Sequence, residues 1–148
     1  MKNKIYLDTS VISALFDERT PERLSMTLEL WSKLNDYEIV ISELVLEELG
    51  RTNEQVRDKM LSSIKGFIVL KVSRQAEELA QTYIKQGIFP EKYFDDALHV
   101  ALASVNQIGV LISWNFTHLV KLKTRRMVSI VNLAENIIPV EIISPPEL

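Results

Sequence analysis

The sequence contains no cysteine. That removes disulfide scaffolds and thiolate metal sites, and makes a reducing, cytoplasmic location the expectation. Glycine and proline are scarce, four and five in 148 residues, so the few present act as punctuation between elements. No apolar run approaches the roughly 18 residues of a membrane span, so no membrane association is expected. The basic start, Met1-Lys2-Asn3-Lys4, precedes an apolar run that Asp8 breaks after three residues, unlike a secretory signal. An excess of cations is also missing. The net charge of −3 excludes a globally cationic nucleic-acid binder, so a polyanion must be gripped by a local patch or through metal ions. What is present is ordinary: 47% apolar and 25% charged residues, the balance of a globular chain. The length fits one domain over residues 1–148, with roughly 68–70% of the unfolded chain's surface buried on folding.

Short β-branched runs alternate with helical patterns. Ile5-Tyr6-Leu7, Ile39-Val40-Ile41, Phe67 to Val72, Val110 to Ser113 and Val140 to Ile143 read as strands. Between them, Thr9 or Ser10 is placed to cap a helix running through Phe16. Pro21 opens a second helix whose stripe is Leu24, Leu28, Trp31 and Leu34. Ser42 caps a helix to Leu49, and Thr52 with Gln55 forms a capping box for the next. Ser73 opens a helix carrying Ala76, Leu79, Ala80 and Tyr83. From Asp95 to Gln107 the chain is apolar almost all round, which predicts a helix buried on most faces. Lys121 to Arg126 reads as a polar loop before a short helix near 128–135. The alternation predicts an α/β fold with a central parallel sheet of about five short strands flanked by helices.

Ligands of open parallel sheets bind beyond the carboxyl ends of the strands, and acids fall there. Asp8 follows the first strand, Glu48 lies in the helix after the second, and Asp95 and Asp96 open the helix before the fourth. Carboxylates brought close repel, and a divalent cation relieves that repulsion. Oxygen ligands without His or Cys favour Mg²⁺ or Mn²⁺. The plainer reading of each acid stays open: an Asp at a helix start commonly interacts with the helix dipole, and Glu43 and Glu47 read as a dipole partner and a solvated residue. Asp8, closing a buried strand, fits a mere turn least well.

These residues carry a resemblance. Ile5-Tyr6-Leu7-Asp8-Thr9-Ser10-Val11-Ile12 resembles the opening of PIN-domain ribonucleases, and Ile41-Ser42 followed by Glu48-Leu49 resembles their second motif. Asp96-Ala97-Leu98-His99-Val100-Ala101 is similar to the third, and Ser113-Trp114-Asn115-Phe116 to the fourth. The ordered set spans residues 5–118, and among PIN proteins the length and opening most resemble VapC-type toxins of toxin–antitoxin pairs. The resemblance implies a Rossmann-like sheet and endoribonuclease chemistry. Asp8, Glu48 and Asp96 would be catalytic and hold one or two Mg²⁺ or Mn²⁺ ions, with Asp95 and Asn115 as further candidate ligands. Thr9, Ser10 and Ser113 would orient the acids. Asn115 stands where many relatives carry a fourth acid, which weakens the case for a second tightly held metal.

Lys121, Lys123, Arg125 and Arg126 place four cations in six residues after the fourth motif, a candidate contact for RNA phosphates as well as a plausible solvated loop. His99 and His118 read chiefly as packing residues near the acids, and Trp114 as packing or a base stacker. The expected partners are an RNA substrate, a cognate antitoxin and a second copy of the chain, through the Leu24/Leu28/Trp31 or Leu79/Tyr83 face. The competing reading is a catalytically weak PIN-like module for RNA or protein binding. A phosphoacceptor domain fits less well, since no second acid follows Asp8 closely and the third strand ends in Leu70-Lys71.

Overall fold

The computed structural model describes residues 2–148. Five strands are laid down in the order β1 (Lys4–Leu7), β2 (Glu38–Ser42), β3 (Ile68–Leu70), β4 (Val110–Ile112) and β5 (Glu141–Ile143). They pair as one parallel sheet, β3-β2-β1-β4-β5. The chain therefore winds outward on one side of β1 and then crosses to start again on the other. The reversal between β1 and β4 leaves a crevice at their carboxyl ends. Tyr6 pairs with Val40 and Leu111, and Leu7 with Ile112, so Asp8 and Ser113 emerge side by side.

Among the described residues seven α-helices flank the sheet: α1 (Thr9–Ala14), α2 (Pro21–Lys33), α3 (Glu43–Leu49), α4 (Glu54–Ser63), α5 (Arg74–Lys85), α6 (Phe94–Val105) and α7 (Leu122–Ala134). Ser42 and Ser73 cap α3 and α5 by accepting N–H bonds from Val45 and Ala76, as their positions predict. Every residue of α6 from Ala97 to Ser104 is buried, which matches its all-round apolar pattern. Gly87, with φ +77°, provides the left-handed turn that ends α5 and lets Ile88 bond back to Tyr83. No helix of the described residues is long and apolar enough to cross a membrane.

Three local expectations are corrected. The N-cap of α4 is Asn53, whose side chain accepts from Gln55 N–H at 2.9 Å; the Thr52 hydroxyl instead donates to the Leu49 carbonyl at 2.6 Å and closes the preceding helix. On α2 the buried face carries Thr27, Leu30 and the adjoining Leu34, while Leu28 is 53% exposed. Thr27 can be buried because its hydroxyl donates to the Arg23 carbonyl and accepts the Trp114 indole N–H at 3.0 Å. Finally, Lys121 to Arg126 is not a loop: α7 starts at Leu122, so three of the four cations ride on its first turns. Cations there oppose the helix dipole, yet burial of Thr124 and Val128 on the same helix decides its start.

Candidate active site

Asp8 occupies the N-cap position of α1 but makes no side-chain cap bond. Its backbone continues the ladder by donating to the Ile112 carbonyl, and the side chain is left free. One carboxylate oxygen accepts the Ser10 hydroxyl and the other the Ser113 hydroxyl, both at 2.5 Å. Ser10 in turn accepts Trp114 N–H, and Ser113 accepts Asn115 N–H, each at 2.9 Å. Two serines 103 positions apart in the chain thus fix one buried carboxylate from both sides.

Glu48 is aimed at the same crevice from α3. Its Oε1 accepts the Thr9 hydroxyl at 2.7 Å and lies 2.6 Å from His99 Nε2. Asp96, in the first turn of α6, is half-buried, and its carboxylate makes no hydrogen bond to another described residue. Asp95 beside it is also half-buried and unbonded in the same sense. Burial pushes the Asp8 carboxyl above its ordinary value, more than His99 and the two serine bonds pull it down. Burial also raises Asp96, and the charges of Asp8 and Glu48 add to the rise against His99 and His118. Glu48 goes the other way: burial favours its neutral form, but the His99 bond and charge and the Thr9 bond outweigh it. His99 mirrors this, with burial overcome by Glu48, Asp8 and Asp96. Asp96 feels the other two acids, and it and Asp8 hold their charge at a cost.

Asp8, Glu48 and Asp96 are hard oxygen donors suited to Mg²⁺ or Mn²⁺. Among the described residues no three acidic or imidazole groups close into a ready-made metal cage. That arrangement still fits Mg²⁺, which keeps several waters and is commonly held by one or two carboxylates with substrate phosphate. Each Asp8 oxygen retains a second lone pair after its serine bond, and Asp96 is uncommitted. Asn115 is differently engaged: its amide oxygen accepts His118 N–H at 2.9 Å, and its carbonyl accepts Leu119 and Val120 N–H. It shapes the turn after β4.

The family model for the PIN domain matches residues 5–115. The chain belongs to the PIN domain family. Solved structures of similar shape include Mycobacterium tuberculosis VapC20, a sarcin–ricin loop cleaving toxin, at 18% identity and TM-score 0.62, covering 92% of this chain and 98% of that one. VapBC-1 from nontypeable Haemophilus influenzae matches at 17% identity and TM-score 0.58, covering 96% and 98%. FitAB bound to an IR36 DNA fragment matches at 15% and 0.63, covering 97% and 96%. At such identities the likeness is one of fold. No curated protein sequence matches the chain.

The remaining candidates of this PIN domain spread more widely. Lys123 and Arg126 are exposed, Lys121 and Arg125 half-buried, and Arg125 stands 3.8 Å from Glu147. Trp114 is buried against α2 with Arg23 over its ring, so it packs, while Phe116 is exposed against its edge. His118 stacks on Tyr93 at 3.9 Å. Glu43 accepts Val72 N–H, and Glu47 pairs with Arg51 on the surface. The residue that sequence reasoning missed is Tyr6. Its hydroxyl lies 2.8 Å from Ser42 Oγ and 2.7 Å from His99 Nδ1. The available signal was its place two residues before Asp8, on the same face of β1.

Proposed function

We propose that this PIN domain is a metal-dependent endoribonuclease and the toxin of a toxin–antitoxin pair. The observation that carries the reading is Asp8, buried at the crevice where the strand order reverses and held by Ser10 and Ser113, with Asp96 within range of the Asp8 and Glu48 charges. Asp8 and Asp96 are the residues to hold Mg²⁺ or Mn²⁺, with Glu48 completing the set directly or through water. A divalent ion held by these residues would supply a water of lowered pKa and charge stabilisation at the scissile phosphate. Ser10 and Ser113 keep the Asp8 carboxylate at one angle, and Thr9 does the same for Glu48. Lys123 and Arg126, exposed on α7, grip the RNA backbone. The toxin identity is supported by the likeness to VapC20, VapBC-1 and FitAB. It implies a small antitoxin partner, a homodimer and action in the cytoplasm.

The test is RNA cleavage by the purified chain with Mg²⁺ or Mn²⁺, beside Asp8→Asn and Asp96→Asn. Folded variants without activity, and loss of wild-type activity in EDTA, are expected. Cleavage surviving in EDTA or in either variant overturns the mechanism. Co-purification with the product of a small adjacent reading frame tests the antitoxin. A second reading, a module that binds RNA without cutting it, is favoured by the neutral, already bonded Asn115 side chain. Metal-independent RNA binding with no cleavage would select it.

A further inference from the structure

Tyr6 touches none of the crevice, yet each partner of its hydroxyl belongs to an element that carries an acid. Tyr6 lies two residues before Asp8 on β1. Ser42 is the N-cap of α3, the helix of Glu48. His99 lies one turn after Asp96 on α6 and bonds Glu48 through its other nitrogen. Thr9 closes the circuit by bonding Glu48 from the start of α1. We infer that Tyr6 and His99 are positioning residues that set the spacing of Asp8, Glu48 and Asp96, in place of a ready-made metal cage. The inference rests on the reading of those acids as the working site.

The donors assign themselves. A carboxylate only accepts, so the His99 proton is on Nε2 and points at Glu48. When the ring is neutral, Nδ1 accepts the Tyr6 hydroxyl hydrogen and the Tyr6 oxygen takes that of Ser42; when it is charged, Nδ1–H donates to the Tyr6 oxygen, so the contact holds in either form. The Ser42 oxygen is left to accept Val45 N–H, at 3.4 Å. Removing the Tyr6 hydroxyl leaves the buried Nδ1 without its partner and frees the ring to turn out of line with the Glu48 carboxylate. The carboxylate sets the His99 proton, and the hydroxyl on the strand beneath sets the angle at which the ring meets Glu48.

The experiment uses the full chain and two readouts, Mn²⁺-dependent thermal stabilisation and steady-state RNA cleavage. Tyr6→Phe keeps the ring and removes only the hydroxyl. The matched control is Tyr83→Phe, an equally buried tyrosine whose hydroxyl bonds Ser104 and Asn132. Tyr6→Phe is expected to raise the Mn²⁺ midpoint and lower kcat by about 10-fold or more, the low end for residues behind metal ligands, with KM for RNA unchanged. Tyr83→Phe loses stability but keeps both values. His99→Gln, which retains an N–H toward Glu48, should give a lower Mn²⁺ midpoint than His99→Leu. This pair decides the matter if Tyr6→Phe does not fold. Wild-type Mn²⁺ binding and kcat in Tyr6→Phe, or equal midpoints in the two His99 variants, overturn the inference while leaving the site reading intact. A wild-type protein that neither binds Mn²⁺ nor cleaves RNA overturns both.

Discussion

Two fully buried tyrosines stand near opposite ends of α6, and the same residue type does different work at each. Near the amino end, Tyr6 links Ser42 and His99 in a network that ends on Glu48, whose side chain keeps 24% of its surface exposed. Toward the carboxyl end, Tyr83 of α5 donates to Asn132 of α7 at 2.5 Å and lies 3.2 Å from Ser104 of α6. Asn132 donates in turn to Ser104 at 3.0 Å. Burial raises both phenols, Tyr83 to about 12. Tyr6 is raised further, in the company of the Asp8 and Glu48 charges. The second network is a closed, neutral triangle that locks three helices. The first is open at one end, where a carboxylate meets solvent. A buried polar network that terminates inside the protein specifies packing; one that terminates on an exposed charge also specifies where that charge stands.

The largest effect that tests this contrast is at the open network. Asp8→Asn should abolish cleavage and raise the melting temperature of the metal-free protein at pH 7, measured by calorimetry. The sign follows from the raised Asp8 carboxyl: its folded value lies above the free value of 3.8. Its protonated form stabilises fully below 3.8, and that contribution is lost as pH rises through the folded value. The gain of Asp8→Asn over the wild type should therefore grow with rising pH and vanish in acid. In the wild type, Mn²⁺ at 100 times its dissociation constant should return about 2.7 kcal/mol, and Asp8→Asn should forfeit most of it. An equal response of the two proteins would remove Asp8 from the metal site.

Next comes the closed network. Tyr83→Ala should cost about 3–5 kcal/mol in denaturant unfolding, the usual range for a large buried aromatic. The Mn²⁺ midpoint of the folded fraction should stay where it was; a shift would show that the two ends of α6 are coupled. Helix α7 offers a smaller test along its own length, since it carries Lys123 and Arg126 at one end and Asn132 at the other. Lys123→Ala with Arg126→Ala should leave stability within about 0.5 kcal/mol. It should flatten the log–log salt dependence of RNA binding by roughly one unit per lost phosphate contact. An unchanged slope would return these cations to solvent.

The smallest expected change is Asn115→Asp. A carboxylate there can still accept His118 N–H, so the turn survives, while a charge is added next to the segment that holds Asp8 through Ser113. The Mg²⁺ concentration for half-maximal cleavage should fall modestly, and the metal-free protein should lose some stability. Superimposable titrations would place residue 115 outside the metal's reach.

The alternation of strands and helices, the caps at Ser42 and Ser73, the strand-end position of Asp8 and the place of Glu48 on the helix after β2 were all legible in the chain. They rest on signals that repeat within a few residues: periodicity, a capping side chain, an acid closing an apolar run. The buried face of α2 was not, because Thr27 looks polar until Trp114, 87 residues away, supplies its partner. Nor was the start of α7, where basic residues argue against a helix end and only the packing of Thr124 and Val128 argues for it. Tyr6 was missed for the same kind of reason. A tyrosine in an apolar strand looks like core, and its partners lie 36 and 93 residues away.

The sequence by itself determined a parallel α/β sheet and the acids that reach its rim, since both follow from local patterning and strand polarity. Only the tertiary structure decided which of those acids is gripped, which is left free, and which buried side chains stand behind the third. Hydrogen bonds between distant segments carry no period in the chain, and a buried polar group declares its role only when its partner is in place.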